Sequence, residues 1–324
     1  MKQNHPLCGF WALGALFAAL AMTAEPAVVV AQTAEKYPAR PIEFIVPWGA
    51  GGGSDQTGRQ ISKMLEAELN VSFPVVNSPG GTGTAGMAKM LAAPADGYTI
   101  SIMAWDTLAV LATRQQKWGL NDIIPLAIVI QLPSGFYVAE SGRFKTWTDV
   151  EKEAKAKPNT LKVAISGFGS PDHITVDYLA TKGLAFKMVP FAEPGERYSN
   201  VLGGHAELLY SPVGNVQSFV DGKQMRPILF FTAEKLPAFA DVPSSKQSGY
   251  DITLSQRRAV VVRAGTPPDR VKILSDALAK VTAQPAYAEY LKRSSAQSDS
   301  YVGGKGAVNI MERDLEDMKR ISQK

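Results

Sequence analysis

Tyr37-Pro-Ala-Arg-Pro-Ile-Glu-Phe-Ile-Val-Pro-Trp-Gly-Ala-Gly-Gly-Gly-Ser-Asp55 is the stretch on which the reading of this chain turns. Its apolar run from Ile42 to Val46 is strand-like and enters a loop with four glycines between Gly49 and Gly53. Beyond the loop, Ile61, Met64, Leu65 and Leu69 recur at the spacing of one helical face, which predicts a helix over 56–69. Glycines let backbone N–H groups approach a ligand, and the following helix directs its positive end at the same place. The stretch therefore predicts an anion site that needs neither a metal nor a charged side chain.

Towards the N-terminus, Lys2 precedes an apolar run from Leu7 to Met22, and Val29-Val30-Ala31 offers small residues for cleavage. Residues 1–31 are expected to be a signal peptide removed on export to the periplasm. Gly9 and Gly14 interrupt the run, which falls short of the roughly 20 residues a membrane span needs. Cys8, the only cysteine of the 324 residues, lies inside that segment, so the mature chain would hold no thiol or disulfide. Three histidines, His5, His173 and His205, are too few for the usual zinc cluster, and no metal or cofactor is expected. The net charge of +4 is mild, and pairs such as Arg257-Arg258 read as solvated surface, not as a nucleic-acid footprint. About 290 residues after the signal exceed one ordinary core and suggest two lobes.

Towards the C-terminus, strand-like and helical runs alternate: Phe73–Val76, helix 83–93, Tyr98–Met103, a helix near 106–113, and the apolar strand Ile123–Ile130. That alternation predicts a mostly parallel sheet covered on both faces. A second α/β set begins at Thr148-Asp-Val-Glu151, which reads as a capping box for a helix ending before Pro158. Leu161–Ser166 is the next strand, and Ser170 before Pro171 reads as an N-cap with a first-turn proline. Near the C-terminus come a strand at Ala259–Val262, a helix capped by Thr266-Pro-Pro-Asp269, and a charged amphipathic helix over 306–321.

Several motifs carry competing chemistry. Gly53-Ser-Asp-Gln-Thr-Gly58 has P-loop spacing, but Arg59 and Gln60 stand where lysine and a magnesium-binding hydroxyl belong. Gly81-Thr-Gly83-Thr-Ala-Gly86 satisfies the dinucleotide fingerprint, with Asp106 twenty residues beyond, so an oxidoreductase is a distant alternative. The turn from Asn77 to Gly80 is longer than that fingerprint needs, and a glycine-rich turn with a helix start explains it equally. Ser170, Asp172 and His173 sit on one helix start, where a cap and a dipole partner account for them without a catalytic triad. Glu193, Glu196 and Arg197 follow a strand and read as a solvated loop or, alternatively, a ligand-facing one. Trp48 and Trp105 each end a strand at the edge where open α/β sheets bind ligands, and they are expected to wall a cleft.

Residues 38–55 resemble the signature of the tripartite tricarboxylate transporter receptors, the Bug family of periplasmic solute-binding proteins, with Trp48 in place of the usual Phe. Asn77-Ser-Pro-Gly-Gly-Thr-Gly83, Pro94-Ala-Asp-Gly-Tyr-Thr99, Asp122-Ile-Ile-Pro125, Ser166-Gly-Phe-Gly-Ser170, Leu202-Gly-Gly-His-Ala-Glu207 and Ala264-Gly-Thr-Pro267 are similar to further family elements. The main departure is Val189-Pro-Phe-Ala-Glu-Pro-Gly195, where family members carry a lysine.

The resemblance implies a two-lobed α/β periplasmic binding protein of type II, a Venus flytrap with mainly parallel sheets. Lobe 1 would comprise 37–128 and 258–324, and lobe 2 would comprise 129–257. It implies a monomer that captures a small organic carboxylate and delivers it to integral membrane transporter subunits. The same fold reporting to a signalling partner is the runner-up. On this reading the ligand would meet Trp48, Ala50, Gly51, Gly52, Ser54, Asp55, Asn77, Thr82, Trp105, Asp106 and Thr107 from one lobe. Ser166, Gly167, Gly169, Ser170, His173, Phe191 and Glu193 would face it from the other. Flat walls from Trp48 and Trp105, with acid at Glu193, would favour an apolar or aromatic monocarboxylate.

Overall fold

The computed structural model describes residues 36–191 and 193–322, so the expected signal segment 1–31 lies outside the described residues. The first part of the chain runs β1 (Glu43–Val46), α1 (Gly53–Leu69), β2 (Val75–Asn77), α2 (Thr84–Ala92), β3 (Thr99–Ala104), α3 (Trp105–Thr113) and β4 (Ile123–Leu132). Then follow β5 (Ser134–Ala139), α4 (Trp147–Ala156), β6 (Lys162–Ile165), α5 (Pro171–Thr181), β7 (Lys187–Pro190), α6 (Pro194–Leu202), β8 (Leu208–Pro212), α7 (Val213–Asp221) and β9 (Met225–Phe230). The chain closes with β10 (Gln256–Arg263), α8 (Pro268–Thr282), α9 (Pro285–Arg293), β11 (Val302–Gly303) and α10 (Gly304–Ser322).

Two sheets result. The first has the order β11-β4-β10-β3-β1-β2 and the second β7-β6-β8-β5-β9. In β1 and β3, Ile45 and Met103 enter one core while Phe44, Val46, Ile100 and Ile102 enter another. Burial on both faces is why these strands read as unbroken apolar runs. Each sheet is mixed, not mainly parallel. β1 runs parallel to β2 and β3, but β10 is antiparallel to both β3 and β4. In the second sheet, β6 is parallel to β7 and β8, while β5 is antiparallel to β8 and β9. β5 and β10 arrive from the other sheet, so no crossover helix fixes their direction.

The chain leaves the first sheet at Leu132, enters the second at Ser134 and returns with Gln256. The lobe boundaries expected at 128/129 and 257/258 thus fall inside β4 and β10. α4 is capped two residues earlier than its sequence pattern predicts, at Thr146 instead of Thr148. Thr146 Oγ1 accepts from the Asp149 N–H at 3.3 Å, and Asp149 Oδ2 accepts from the Thr146 N–H at 2.9 Å. Burial of Trp147, 3% exposed and stacked on Phe136, draws the helix start forward. The residue before α8 is Pro267, while Thr266 Oγ1 turns back to donate to the Arg263 carbonyl at 2.7 Å.

Adjacent residues of β10 point to opposite faces. Arg257 lies against the Trp105 ring, 5.8 Å from its centroid, and its Nε donates to Gln131 Oε1 at 2.7 Å. Its Nη1 pairs with Asp314 of α10, which also accepts from Trp105 Nε1 at 2.8 Å. Trp105 is 0% exposed. It anchors the C-terminal helix and does not wall a cleft. Asp314→Ala would leave Arg257 largely buried without its counter-charge. A destabilisation of about 3 kcal/mol is expected in urea unfolding, since removing one partner of a buried pair costs that order. An unchanged midpoint would show that this tether is dispensable.

Candidate functional site

α1 begins at Gly53, earlier than its apolar periodicity predicts, because the apolar face starts only at Ile61 while the backbone is already helical. The loop before it is braced by side chains from neighbouring elements. Asp55 Oδ2 accepts from the Gly51 N–H at 2.9 Å and from Arg59 Nε at 3.0 Å. Asn77 Nδ2 donates to Asp55 Oδ1 and to the Trp48 carbonyl, both at 2.9 Å. In this way Asp55 and Asn77 fix the loop's shape, with their polar atoms committed to it.

The beginnings of α1 and α3, together with β10, meet residues of the second sheet around a cavity of about 40 Å³. The first-sheet side supplies Trp48, Gly52, Gly53, Ser54, Asp106, Gln256 and Arg258. The other side supplies Ser166, Asp172, Pro194, Arg197, Tyr210, Pro212 and Asn215.

Two arginines dominate this space. Arg258 is 3% exposed, and its three nitrogens donate to Ser54 Oγ at 3.3 Å, Thr57 Oγ1 at 3.3 Å and Asn215 Oδ1 at 3.1 Å. All three acceptors are neutral; among the described residues no carboxylate forms an ion pair with it. Burial pulls its pKa below the usual arginine value, which is the signature of a charge stripped of water. Arg197 is 6% exposed, with Nη1 3.9 Å from Asp172 Oδ2. Its Nε, Trp48 Nε1 and Gln256 Oε1 are buried and find no hydrogen-bond partner among the described residues.

Opposite the arginines stand two carboxylates. Ser166 Oγ lies 2.9 Å from Asp106 Oδ1 and 2.9 Å from both oxygens of Asp172. A hydroxyl has one proton to give. The two carboxyl groups therefore share it, and the Ser166 N–H also donates to Asp172 at 2.5 Å. Burial, followed by the nearby Asp172 charge, pushes Asp106 up to about 6 against the opposing pull of Ser166, Arg197 and Arg258. Gln256 Nε2 donates to the other Asp106 oxygen.

The lobes meet through their glycine loops. Thr113 Oγ1 donates to the Gly169 carbonyl at 3.3 Å and Arg114 Nη2 to the Phe168 carbonyl at 2.8 Å. A Cβ on Gly53 would overlap Asn215 Oδ1 and Arg258 Nη2, and one on Gly52 would stand 3.1 Å from Pro194 Cγ. These glycines admit the opposing lobe as well as any ligand.

Of the residues expected to form the site, Trp48, Gly52, Ser54, Asp106 and Ser166 line the cavity. Ala50 and Gly51 are exposed at its rim, where Glu193 also sits with its carboxylate against Gly49. Thr107 is fully buried and donates to the Thr82 carbonyl at 3.1 Å, which pins the GxGxxG turn against α3 instead of opening a dinucleotide groove. Gly167 and Gly169 shape the turn before α5. Ser170, 0% exposed, caps that helix by accepting from the His173 N–H at 3.3 Å. His173 Nδ1 accepts from the Gly169 N–H at 3.1 Å, and its Nε2 faces Asp177 at 3.1 Å. Phe191 packs against the second-sheet core. Trp105 belongs to the core around α10, so the two-tryptophan wall is not formed.

Arg258, read from the sequence as solvated surface, is the main correction, while Arg197, read as part of a solvated or else ligand-facing loop, lines the cavity. A charged residue two positions along from Gln256, at the head of the buried run Ala259–Val262, is the signal that could have found Arg258. Arg197 falls on helix α6, not on a loop, so its position one turn inside carries it to the cleft.

The family profile described as the tripartite tricarboxylate transporter family receptor matches residues 57–322. A UPF0065 protein of Cupriavidus necator is 29% identical over 286 residues, 87% of this chain and 85% of the relative. The crystal structure of a TctC solute-binding protein from Polaromonas is 28% identical with a TM-score of 0.67, covering 89% of this chain and 99% of that one. MatC from Rhodopseudomonas palustris with bound malate shares the fold at a TM-score of 0.80 and 18% identity, covering 88% of this chain and 100% of that one.

Two outcomes follow from this geometry. Because the pKa of Asp106 is raised on folding, the stability it contributes is fully present below its ordinary value near 4 and is lost as pH rises through about 6. Asp106→Asn stays neutral, so its thermal midpoint should gain on the parent as pH rises from about 4 to 7.5. A difference that does not change with pH would contradict the buried, strained carboxylate. Gly53→Val should leave the far-UV circular dichroism intact while keeping the lobes apart, read as a larger radius of gyration in small-angle scattering. A radius equal to the parent's would mean that the loop yields to the side chain.

Proposed function

The chain belongs to the tripartite tricarboxylate transporter receptor family, and from that premise we propose that it is a periplasmic solute-binding receptor that captures a small carboxylate between its two lobes. It hands the closed, loaded form to the membrane subunits of a transporter and acts as a monomer without a catalytic step. The observation that carries this reading is Arg258, a guanidinium 3% exposed and surrounded by neutral acceptors. A buried charge without a partner costs several kcal/mol, and a ligand carboxylate that accepts from its remaining N–H groups offsets that cost. The first-turn N–H groups of α1 at Gly53 and Ser54 add the positive end of a 17-residue helix to the same spot.

The second lobe contributes the cation Arg197 and the amide acceptor Asn215 Oδ1, which already bonds to Arg258 across the cleft. A carboxylate touching both arginines binds the closed form better than the open one, and that difference in affinity drives closure. The malate in MatC of Rhodopseudomonas palustris supports the carboxylate class. Among the described residues no helix is long and apolar enough to cross a membrane, which fits a receptor served by separate membrane subunits.

Mass spectrometry of organic acid released from the purified protein, followed by titration calorimetry with that acid, tests the reading. Arg258→Gln should weaken binding about 100-fold, roughly 3 kcal/mol, the range for charge-assisted hydrogen bonds to a buried ion. Circular dichroism of the variant should match the parent, because the hydrogen bonds lost with Arg258 go to side chains and not to the backbone of any helix or strand. Parental affinity in this variant would overturn the carboxylate assignment.

A further inference from the structure

We infer that the ligand of this cleft is a zwitterionic amino acid, its carboxylate held by Arg258 and its ammonium by Asp106, Asp172 and Gln256. The inference rests on the carboxylate-receptor reading and adds the second charge.

The cleft is divided by polarity. On one side are donors in search of acceptors: the remaining N–H groups of Arg258, the unpartnered Arg197 Nε and the unpartnered Trp48 Nε1. On the other side are acceptors short of donors. Asp106 and Asp172 share the single hydroxyl proton of Ser166 and have one further close N–H each, from Gln256 Nε2 and the Ser166 backbone, with Arg197 Nη1 3.9 Å from Asp172. Gln256 Oε1 has no partner among the described residues although Gln256 is only 5% exposed. An ammonium group has three N–H donors and no lone pair, which suits a site of three acceptors. A hydroxyl brings one donor, and a methyl or second carboxylate brings none.

Charge points the same way. The buried ionisable groups around the cavity are two guanidiniums, Arg197 and Arg258, and two carboxylates, Asp106 and Asp172, with the Tyr210 phenol beside them. A zwitterion leaves that balance unchanged. A simple monocarboxylate meets Arg258 but brings no cation to the paired carboxylates Asp106 and Asp172, and a dicarboxylate brings a further negative charge into the same closed space. Between two carboxylates an ammonium also relieves the repulsion that pushes Asp106 upward. Asp106 comes from the first-sheet side and Asp172 from the second, so an ammonium bonded to both is held only when the lobes are closed.

Matched triplets of acids test this by calorimetry on the mature chain at neutral pH: L-alanine, L-lactate and propionate; L-aspartate, L-malate and succinate; L-leucine, its 2-hydroxy analogue and its deamino analogue. In whichever triplets bind, the amino member should be at least 10-fold tighter than the other two. Asp106→Asn should remove most of that advantage by weakening the amino member of each triplet more than its hydroxy and deamino partners. Arg258→Gln should weaken every member that binds. A hydroxy or deamino acid as tight as its amino partner would overturn the inference and leave the carboxylate reading standing. Failure of all nine acids to bind would overturn both.

Discussion

A guanidinium buried to 3% exposure in a central strand is the constraint to which the rest of the cleft answers. β10 lies between β3 and β4, and Arg258 pairs in register with Ala104, one residue before α3 starts. That register brings the charge beside Asp106 and beneath the start of α1. Buried ion pairs contribute little net stability compared with apolar residues of the same volume. The hydrogen bonds of the Arg258 guanidinium go to neutral acceptors, Ser54, Thr57 and Asn215, and the Asp106 charge acts on it without a direct ion pair. Such an arrangement makes sense where a ligand supplies the missing anion.

Closure depends on what the loops leave out. Where the lobes meet, carbonyl groups of the 166–170 turn accept from Thr113 and Arg114, and the glycines of the 49–53 loop receive Glu193, Pro194 and Asn215 without side chains in the way. Glycine-rich loops at helix starts are read first as anion cradles. Here the same absence of Cβ atoms serves a second purpose, letting two folded surfaces come within van der Waals distance around a very small cavity. The site's polar groups are then removed from water together, which strengthens each interaction among them.

Arg257 and Arg258 illustrate how one residue of register decides a role. Arg257 faces the core of Trp105 and α10, pairs with Asp314 and holds the C-terminal helix in place. Arg258 faces the cleft. In the sequence they form one basic pair, and a basic pair on an unassigned segment reads as surface. The same blindness affects the two tryptophans: Trp48 faces the cavity and Trp105 the core, although both follow strands.

Local features of this chain were legible because they depend on near neighbours. The strand at 42–46, the glycine loop, the helix from the 61–69 periodicity, the Ser170-Pro171 cap and the family motifs all involve residues within a few positions of each other. Alternating α/β units and two lobes followed from them. The mixed direction of the sheets, the α4 cap at Thr146 and the polarity of the cleft did not. The decisive contacts join Asp106 to Gln256 across 150 positions and Ser54 to Arg258 across 204. The sequence by itself determined the family, the two α/β lobes and the glycine loops between them. Only the tertiary structure decided which charges are buried where those lobes meet, because the face a strand residue presents depends on the neighbours its sheet brings to it.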